Sequence, residues 1–287
     1  MSAKLLNGRE LSARILAAAR RRATDATRRL GRAPRLAIVE AGDDAAGSYL
    51  KATMKACAAV GVDVMVHRLS PGPRIKTLGL LNDLAADPCA DALIIETPYP
   101  RGLTAADIAA LIPPDKDVEA ITPSAFGRLF LAKTWAQTSE LVIPCTAYAL
   151  ARLALACGMP LSGRRAVVIG RSTTVGRPAA HLLSTLDMTV TLAHSRTRGL
   201  ARICRESDLL VLAAGAPGLV KASWIKPGAI VLDAGVHLVG GKLVGDAAPG
   251  VAARARAITP VPGGVGPVTT ACAVLNAVIL AQRRARA

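Results

Sequence analysis

Apolar and polar positions along this chain follow two periods that take turns. Residues 9–30 repeat apolar side chains at helical spacing, with Leu11, Ile15, Ala18 and Ala19 set between arginines. Pro34 closes that stretch. Short apolar runs then alternate with helix-length segments: a strand at 36–39, a turn at 41–44, a helix at 47–60 stopped by Gly61, a strand at 62–69, a helix at 75–86 and a fully apolar strand at 92–95. Such alternation predicts a parallel α/β sheet. A helix at 105–111 leads into residues 113–119, a segment read as too charged for a core. Weak periodicity over 131–144 marks a passage between two domains. Beyond it the pattern predicts a helix at 147–157, strands at 167–169, 188–194, 209–213 and 230–233, and a closing helix at 269–284. Gly240-Gly241 between Leu238-Val239 and Leu243-Val244 is a two-residue hairpin signal. The fold class expected is therefore α/β, in two α/β domains.

The strand ending at Ile169 runs into Gly170-Arg171-Ser172-Thr173-Thr174-Val175-Gly176 and then a helix. A helix N-terminus at such a turn attracts a pyrophosphate. Only two of the three fingerprint glycines are present, Gly170 and Gly176, so the next strand carries more weight. Its end reads His194-Ser195-Arg196-Thr197-Arg198, with no acid for ribose hydroxyls. Arginines there suit a 2′-phosphate, whose oxygens match the guanidinium fork. NADP is the expected cofactor, in a Rossmann-like domain. A solvated basic loop is the alternative.

With 287 residues, two separate cores are affordable. No apolar run is read as long enough for a membrane span, and the first residues lack a signal-peptide core, so a cytoplasmic protein is expected. Six scattered cysteines suggest buried thiols, and the four histidines form no ligand motif, so no metal is expected. Many of the cations behind the formal charge of +16 are arginines in the first helix and at the C-terminus. No aromatic stacking platform accompanies them, so solvated helix faces are expected and no nucleic-acid partner. The loop 259–267, with three prolines and three glycines, would let a ligand approach backbone closely.

Together these motifs resemble the methylenetetrahydrofolate dehydrogenase/methenyltetrahydrofolate cyclohydrolase (FolD) family over nearly the whole chain. The resemblance rests on Tyr49, on Pro113-Pro114-Asp115-Lys116-Asp117-Val118, on Pro144-Cys145-Thr146 and on the 170–178 turn. Trp224 to Val231 and Pro262-Gly263-Gly264-Val265-Gly266-Pro267 complete it. It implies a folate-binding catalytic domain at 1–139 plus 267–287, an NADP-binding domain at 140–266, a cleft between them, and a homodimer. Gly170, Arg171, Ser172, Val175, Gly176, Ser195, Arg196 and Val236 would then hold NADP. Tyr49, Ile95, Glu96, Thr97 and Pro262 to Gly266 would line a tetrahydrofolate one-carbon substrate.

Departures from the family pattern shape the expected chemistry. The bifunctional members carry a lysine four residues after the tyrosine, where this chain has Thr53. Lys51 and Lys55 each lie about 200° around a regular helix from Thr53 and point elsewhere. The family glutamine after the third strand is Glu96, the aspartate and glycine after Lys-Asp-Val are Glu119 and Ala120, and a proline is replaced by Ala147. Lys116 and Asp117 suggest a structural ion pair. Tyr49, Thr53, Glu96 and Glu119 are the candidate catalytic residues for an NADP-dependent oxidation of 5,10-methylenetetrahydrofolate with cyclohydrolase activity weak or lost. Two alternatives are a folate site retuned for another one-carbon substrate or transfer, and a non-catalytic paralogue that binds both ligands.

Overall fold

The computed structural model describes residues 3–40, 47–69, 74–100 and 102–286; the turn expected at 41–44 lies outside them. In chain order the elements are β1 (Lys4–Leu5), α1 (Gly8–Leu30), β2 (Arg35–Glu40), α2 (Gly47–Val60), β3 (Asp63–Arg68), α3 (Arg74–Ala86), β4 (Ala92–Ile95), α4 (Ala105–Leu111) and α5 (Pro123–Leu131). They continue as α6 (Cys145–Ala156), β5 (Arg165–Ile169), α7 (Gly176–Ser184), β6 (Thr189–Ala193), α8 (Leu200–Arg205), β7 (Leu209–Leu212), β8 (Ile230–Asp233), β9 (His237–Val239), β10 (Lys242–Val244), β11 (Ala257–Ile258) and α9 (Val265–Arg284). Two compact units result. One comprises Ala13–Leu129, Glu140–Cys145 and Thr270–Ala287; the other comprises Met1–Ser12, Phe130–Ser139 and Thr146–Thr269.

The first unit holds a parallel sheet in the order β3-β2-β4. Central β2 is buried from Leu36 to Glu40, which explains an apolar run without alternation. Ala37, Val39, Leu93 and Ile95 pack with Leu81, Leu84 and Ile108 from α3 and α4. Helix α1 buries Ile15, Ala19, Ala23 and Ala26, while Arg14, Arg20, Arg21, Arg28 and Arg29 are exposed. One expectation fails in α9. By length and composition this helix could cross a membrane, yet 83% of its most apolar window is buried. Its apolarity is explained by a core position. Within it, fully buried Asn276 donates to the carbonyls of Val118 and Ile143, each at 2.8 Å.

Residues 113–119 also differ from expectation, since Lys116 and Asp117 are buried at 6% and 1% exposure. Backbone groups satisfy Lys116 Nζ and Asp117 Oδ2, which offsets part of the cost of burial, while Asp117 Oδ1 has no hydrogen-bond partner among the described residues. Lys116 Nζ donates to the carbonyls of Ala85 at 2.7 Å and Asp87 at 2.6 Å, capping the end of α3. Asp117 Oδ2 accepts the Thr122 N–H at 2.8 Å. No ion pair joins Lys116 to Asp117 among the described residues, so each is structural through a different partner. The thiols are buried except Cys89, which is exposed.

The second unit holds a six-stranded sheet ordered β1-β11-β8-β7-β5-β6, with a separate β9–β10 hairpin. Within the six-stranded sheet all described strand pairs are parallel, while the hairpin is antiparallel. Strand order reverses at β5, which has β6 on one side and β7 on the other. Two-residue β1 was not anticipated from the sequence; its pairing with β11 joins positions about 250 residues apart.

Candidate active site

In the first unit, α2 places Tyr49 and Thr53 one turn apart on one face. Thr53 is 0% exposed and Tyr49 half-buried, whereas Lys51 and Lys55 are exposed. Ile95 ends β4 inside the apolar core, leaving its backbone rather than its side chain for any ligand. The next residue, Glu96, is buried at 6% exposure, and its N–H donates to Val39 O at 2.9 Å. Thr97 is exposed. A parallel bridge from Leu93 to Asp117 brings the segment carrying Glu119 alongside β4.

These groups sense one another. Burial pushes the Glu96 carboxyl up to about 7, with the charge of Glu40 adding to it. Burial, then the charges of Asp117 and Glu96, push Glu119 up to about 7 as well. The Tyr49 phenol is raised by burial and by Cys145, Glu119 and Glu96. Thr53 Oγ1 and Glu96 Oε1 are buried without a hydrogen-bond partner among the described residues. Burial also raises the Cys145 thiol, which keeps it unreactive.

Pro262 to Gly266 belong to the second unit. Gly263 O accepts the Gly8 N–H at 2.9 Å, and Gly264 N–H donates to Pro260 O at 2.8 Å. A Cβ on Gly8 would lie 1.9 Å from Gly264 O, so α1 starts flush against this loop. Pro262 and Gly266 are exposed, and Gly264 and Val265 are buried.

The nucleotide turn is built on two glycines that tolerate no side chain. Gly170 has φ +128° and a Cβ there would meet Ala213 O at 2.0 Å; a Cβ on Gly176 would meet Gly170 O at 1.9 Å. Ser172 Oγ accepts from the N–H groups of Val175 and Gly176, both at 3.2 Å, fixing the start of α7. Beyond β6, the Thr197 hydroxyl accepts the His194 N–H at 2.9 Å and His194 Nδ1 accepts the Arg196 N–H at 3.2 Å, shaping a tight turn. Arg171, Ser195, Arg196 and Arg198 are exposed at these strand ends. Two guanidinium groups and a hydroxyl beyond β6, with no carboxylate from 194 to 198, fit a dinucleotide with a 2′-phosphate. Val236 is 63% exposed in the turn between β8 and β9. No group of three or more His, Cys, Asp or Glu is placed to hold a metal ion among the described residues.

Sequence reasoning passed over Asp233, His237 and Asp246. Asp246, 0% exposed, accepts the N–H groups of Ala214, Gly215 and Ala216. The signal available was slight: a glycine-flanked aspartate after a hairpin.

Comparison with known proteins matches residues 6–119 to the family described as tetrahydrofolate dehydrogenase/cyclohydrolase, catalytic domain, and residues 144–285 to its NAD(P)-binding domain. The bifunctional protein FolD of Parafrankia sp. (strain EAN1pec) is 44% identical over 280 residues, covering 96% of this chain and 98% of its own. That of Sphingopyxis alaskensis is 43% identical over 268 residues, covering 89% and 86%. Among solved structures, the methylenetetrahydrofolate dehydrogenase-cyclohydrolase (FolD) of Trypanosoma brucei, complexed with NADP cofactor and inhibitor, superposes with TM-score 0.90 at 33% identity, covering 100% of both chains. The 5,10-methylenetetrahydrofolate dehydrogenase of the silkworm Bombyx mori superposes with TM-score 0.90 at 31% identity, covering 99% of this chain and 100% of its own. With both halves matched and relatives this similar over almost its full length, the chain belongs to the tetrahydrofolate dehydrogenase/cyclohydrolase family.

Proposed function

We propose that the chain oxidises 5,10-methylenetetrahydrofolate to 5,10-methenyltetrahydrofolate with NADP, and hydrolyses the methenyl product weakly or not at all. The observation that carries this reading is on α2: the buried side chain one turn after Tyr49 is Thr53, while Lys51 and Lys55 face solvent. NADP, when bound, supplies the hydride acceptor. What remains for the protein is to orient the folate and to stabilise positive charge growing on the one-carbon bridge. Tyr49 offers a ring face to the pterin, and the ionised Glu96 carboxylate favours the cation. Charge is felt more strongly in a buried setting than in water. Hydrolysis makes a different demand, because a ring nitrogen must be protonated and a water activated. A threonine hydroxyl performs neither task well.

Ser195, Arg196 and Arg198 support NADP over NAD. A homodimer is part of the same reading. Exposed Leu238, Val239 and Leu243 on the β9–β10 hairpin, at 74%, 51% and 43%, offer an apolar surface that a second copy would cover. The chemistry is tested by following absorbance with methylenetetrahydrofolate and either NADP or NAD. Methenyltetrahydrofolate should accumulate with NADP; hydrolysis that keeps pace with oxidation would refute the monofunctional reading. Absence of oxidation with either nucleotide would refute the dehydrogenase.

A further inference from the structure

The geometry points to Asp246 as a positioning residue that holds one wall of the nicotinamide site in place. In an open α/β sheet a ligand lies at the carboxyl ends of the strands, where strand order reverses. Here that place is between β5 and β7. The β5 side carries the Gly170 turn. The β7 side is the loop Ala213 to Gly218, too rich in small residues to order itself through side chains.

Asp246 orders it from behind. Its Oδ2 accepts from Ala214 N at 2.7 Å and Gly215 N at 3.1 Å, and its Oδ1 from Ala216 N at 2.9 Å. Three successive N–H groups converging on one point form a nest of the kind that binds anions. An internal carboxylate fills this nest, so these donors are spent on structure and the loop presents its other side to the crevice. Oδ1 is also hydrogen-bonded to His237 Nε2 at 2.8 Å.

A second carboxylate locks the first. Asp233, at the end of β8, accepts from Gly235 N at 2.9 Å, Asp246 N at 3.1 Å and Ala247 N at 2.8 Å. The fit leaves no slack: a Cβ on Gly235 would lie 2.5 Å from Asp246 Oδ1, and one on Gly245 would lie 2.1 Å from Asp233 Oδ2. Loops after β7, β8 and β10 are thereby tied into one body. The site it shapes takes the nicotinamide ribose half of the dinucleotide, whereas the adenosine 2′-phosphate half lies across β5 by the turn after β6.

The inference rests on the NADP reading above, and its test separates the two halves of the ligand. Asp246→Asn puts an amide where three N–H groups converge. It should weaken NADP about tenfold by titration calorimetry and speed hydrogen exchange at 214–216. Binding of adenosine 2′,5′-bisphosphate should change by less than about twofold. Equal loss of both ligands, or unchanged NADP affinity, would overturn the assignment. If Asp246→Asn does not fold, His237→Ala takes its place: it removes the side-chain partner of Oδ1 and so loosens the carboxylate's hold on 214–216. It should show the same split at about threefold, and no split would again overturn it. Failure of the unaltered chain to bind NADP would remove the earlier reading and this one together.

Discussion

Glu96 poses the sharpest question for a single side chain. Its ordinary value is 4.5 and burial in the fold raises it to about 7. Between those values the folded state binds the additional proton, so this contribution to stability is complete below about 4.5 and is lost as pH rises through about 7. Glu96→Gln keeps the shape without the charge, and should therefore raise Tm at about pH 8 while leaving it nearly unchanged at about pH 4. Thermal melts at the two values check this; the same shift at both would refute it. Catalysis should move oppositely, with kcat/KM for oxidation rising through about pH 7 as Glu96 ionises, and the rise missing in Glu96→Gln. Stability and activity would then pull apart at one carboxyl. Thr53→Lys puts an ammonium beside Glu96 and Glu119, and should raise methenyltetrahydrofolate hydrolysis at least about tenfold over the unaltered chain. No gain would mean that the missing amine is not the deciding difference. Gly176→Ala drives a Cβ toward Gly170 O, 1.9 Å away in the present backbone. It should raise the Kd for NADP about tenfold or more by fluorescence titration.

Among the elements, α9 depends on one amide. Asn276 Nδ2 reaches two carbonyls, Val118 O and Ile143 O. Asn276→Leu preserves bulk but takes the amide donor from Ile143 O and leaves Val118 O only the weak Cys145 thiol at 3.5 Å, so about 1–3 kcal/mol should be lost in urea unfolding. Asn276→Asp should be as damaging, because a carboxylate cannot donate to either carbonyl and its charge would be buried. The strands and helices themselves were largely legible from periodicity. Helix α2, read at 47–60, occupies Gly47–Val60, and β4, read at 92–95, occupies Ala92–Ile95. Helix α6 was read from 147 and starts at Cys145, a boundary that turns on backbone geometry more than on side-chain pattern. Charge in the 113–119 segment predicts exposure, but charged side chains can be buried where backbone groups meet them. Lys116 is buried with partners that come from the end of α3, distant in sequence.

For the whole molecule, the dimer proposal makes a concentration-dependent prediction. Leu238→Lys with Leu243→Glu should shift sedimentation from two copies toward one; a single-copy species in the unaltered chain would refute the dimer. Sequence by itself determined the alternation of strands and helices, the two-domain α/β class, the glycine-framed turn and the basic turn after β6. Each is written in neighbouring residues, where backbone sterics and side-chain period act locally. Tertiary structure alone decided that Thr53 is fully buried, and that Glu96 and Glu119 are pushed up together. It also decided that Asp246 fills the nest after β7 and that β1 joins β11. Burial and long-range hydrogen bonds set those outcomes, and both depend on which distant segments the folded chain brings into contact.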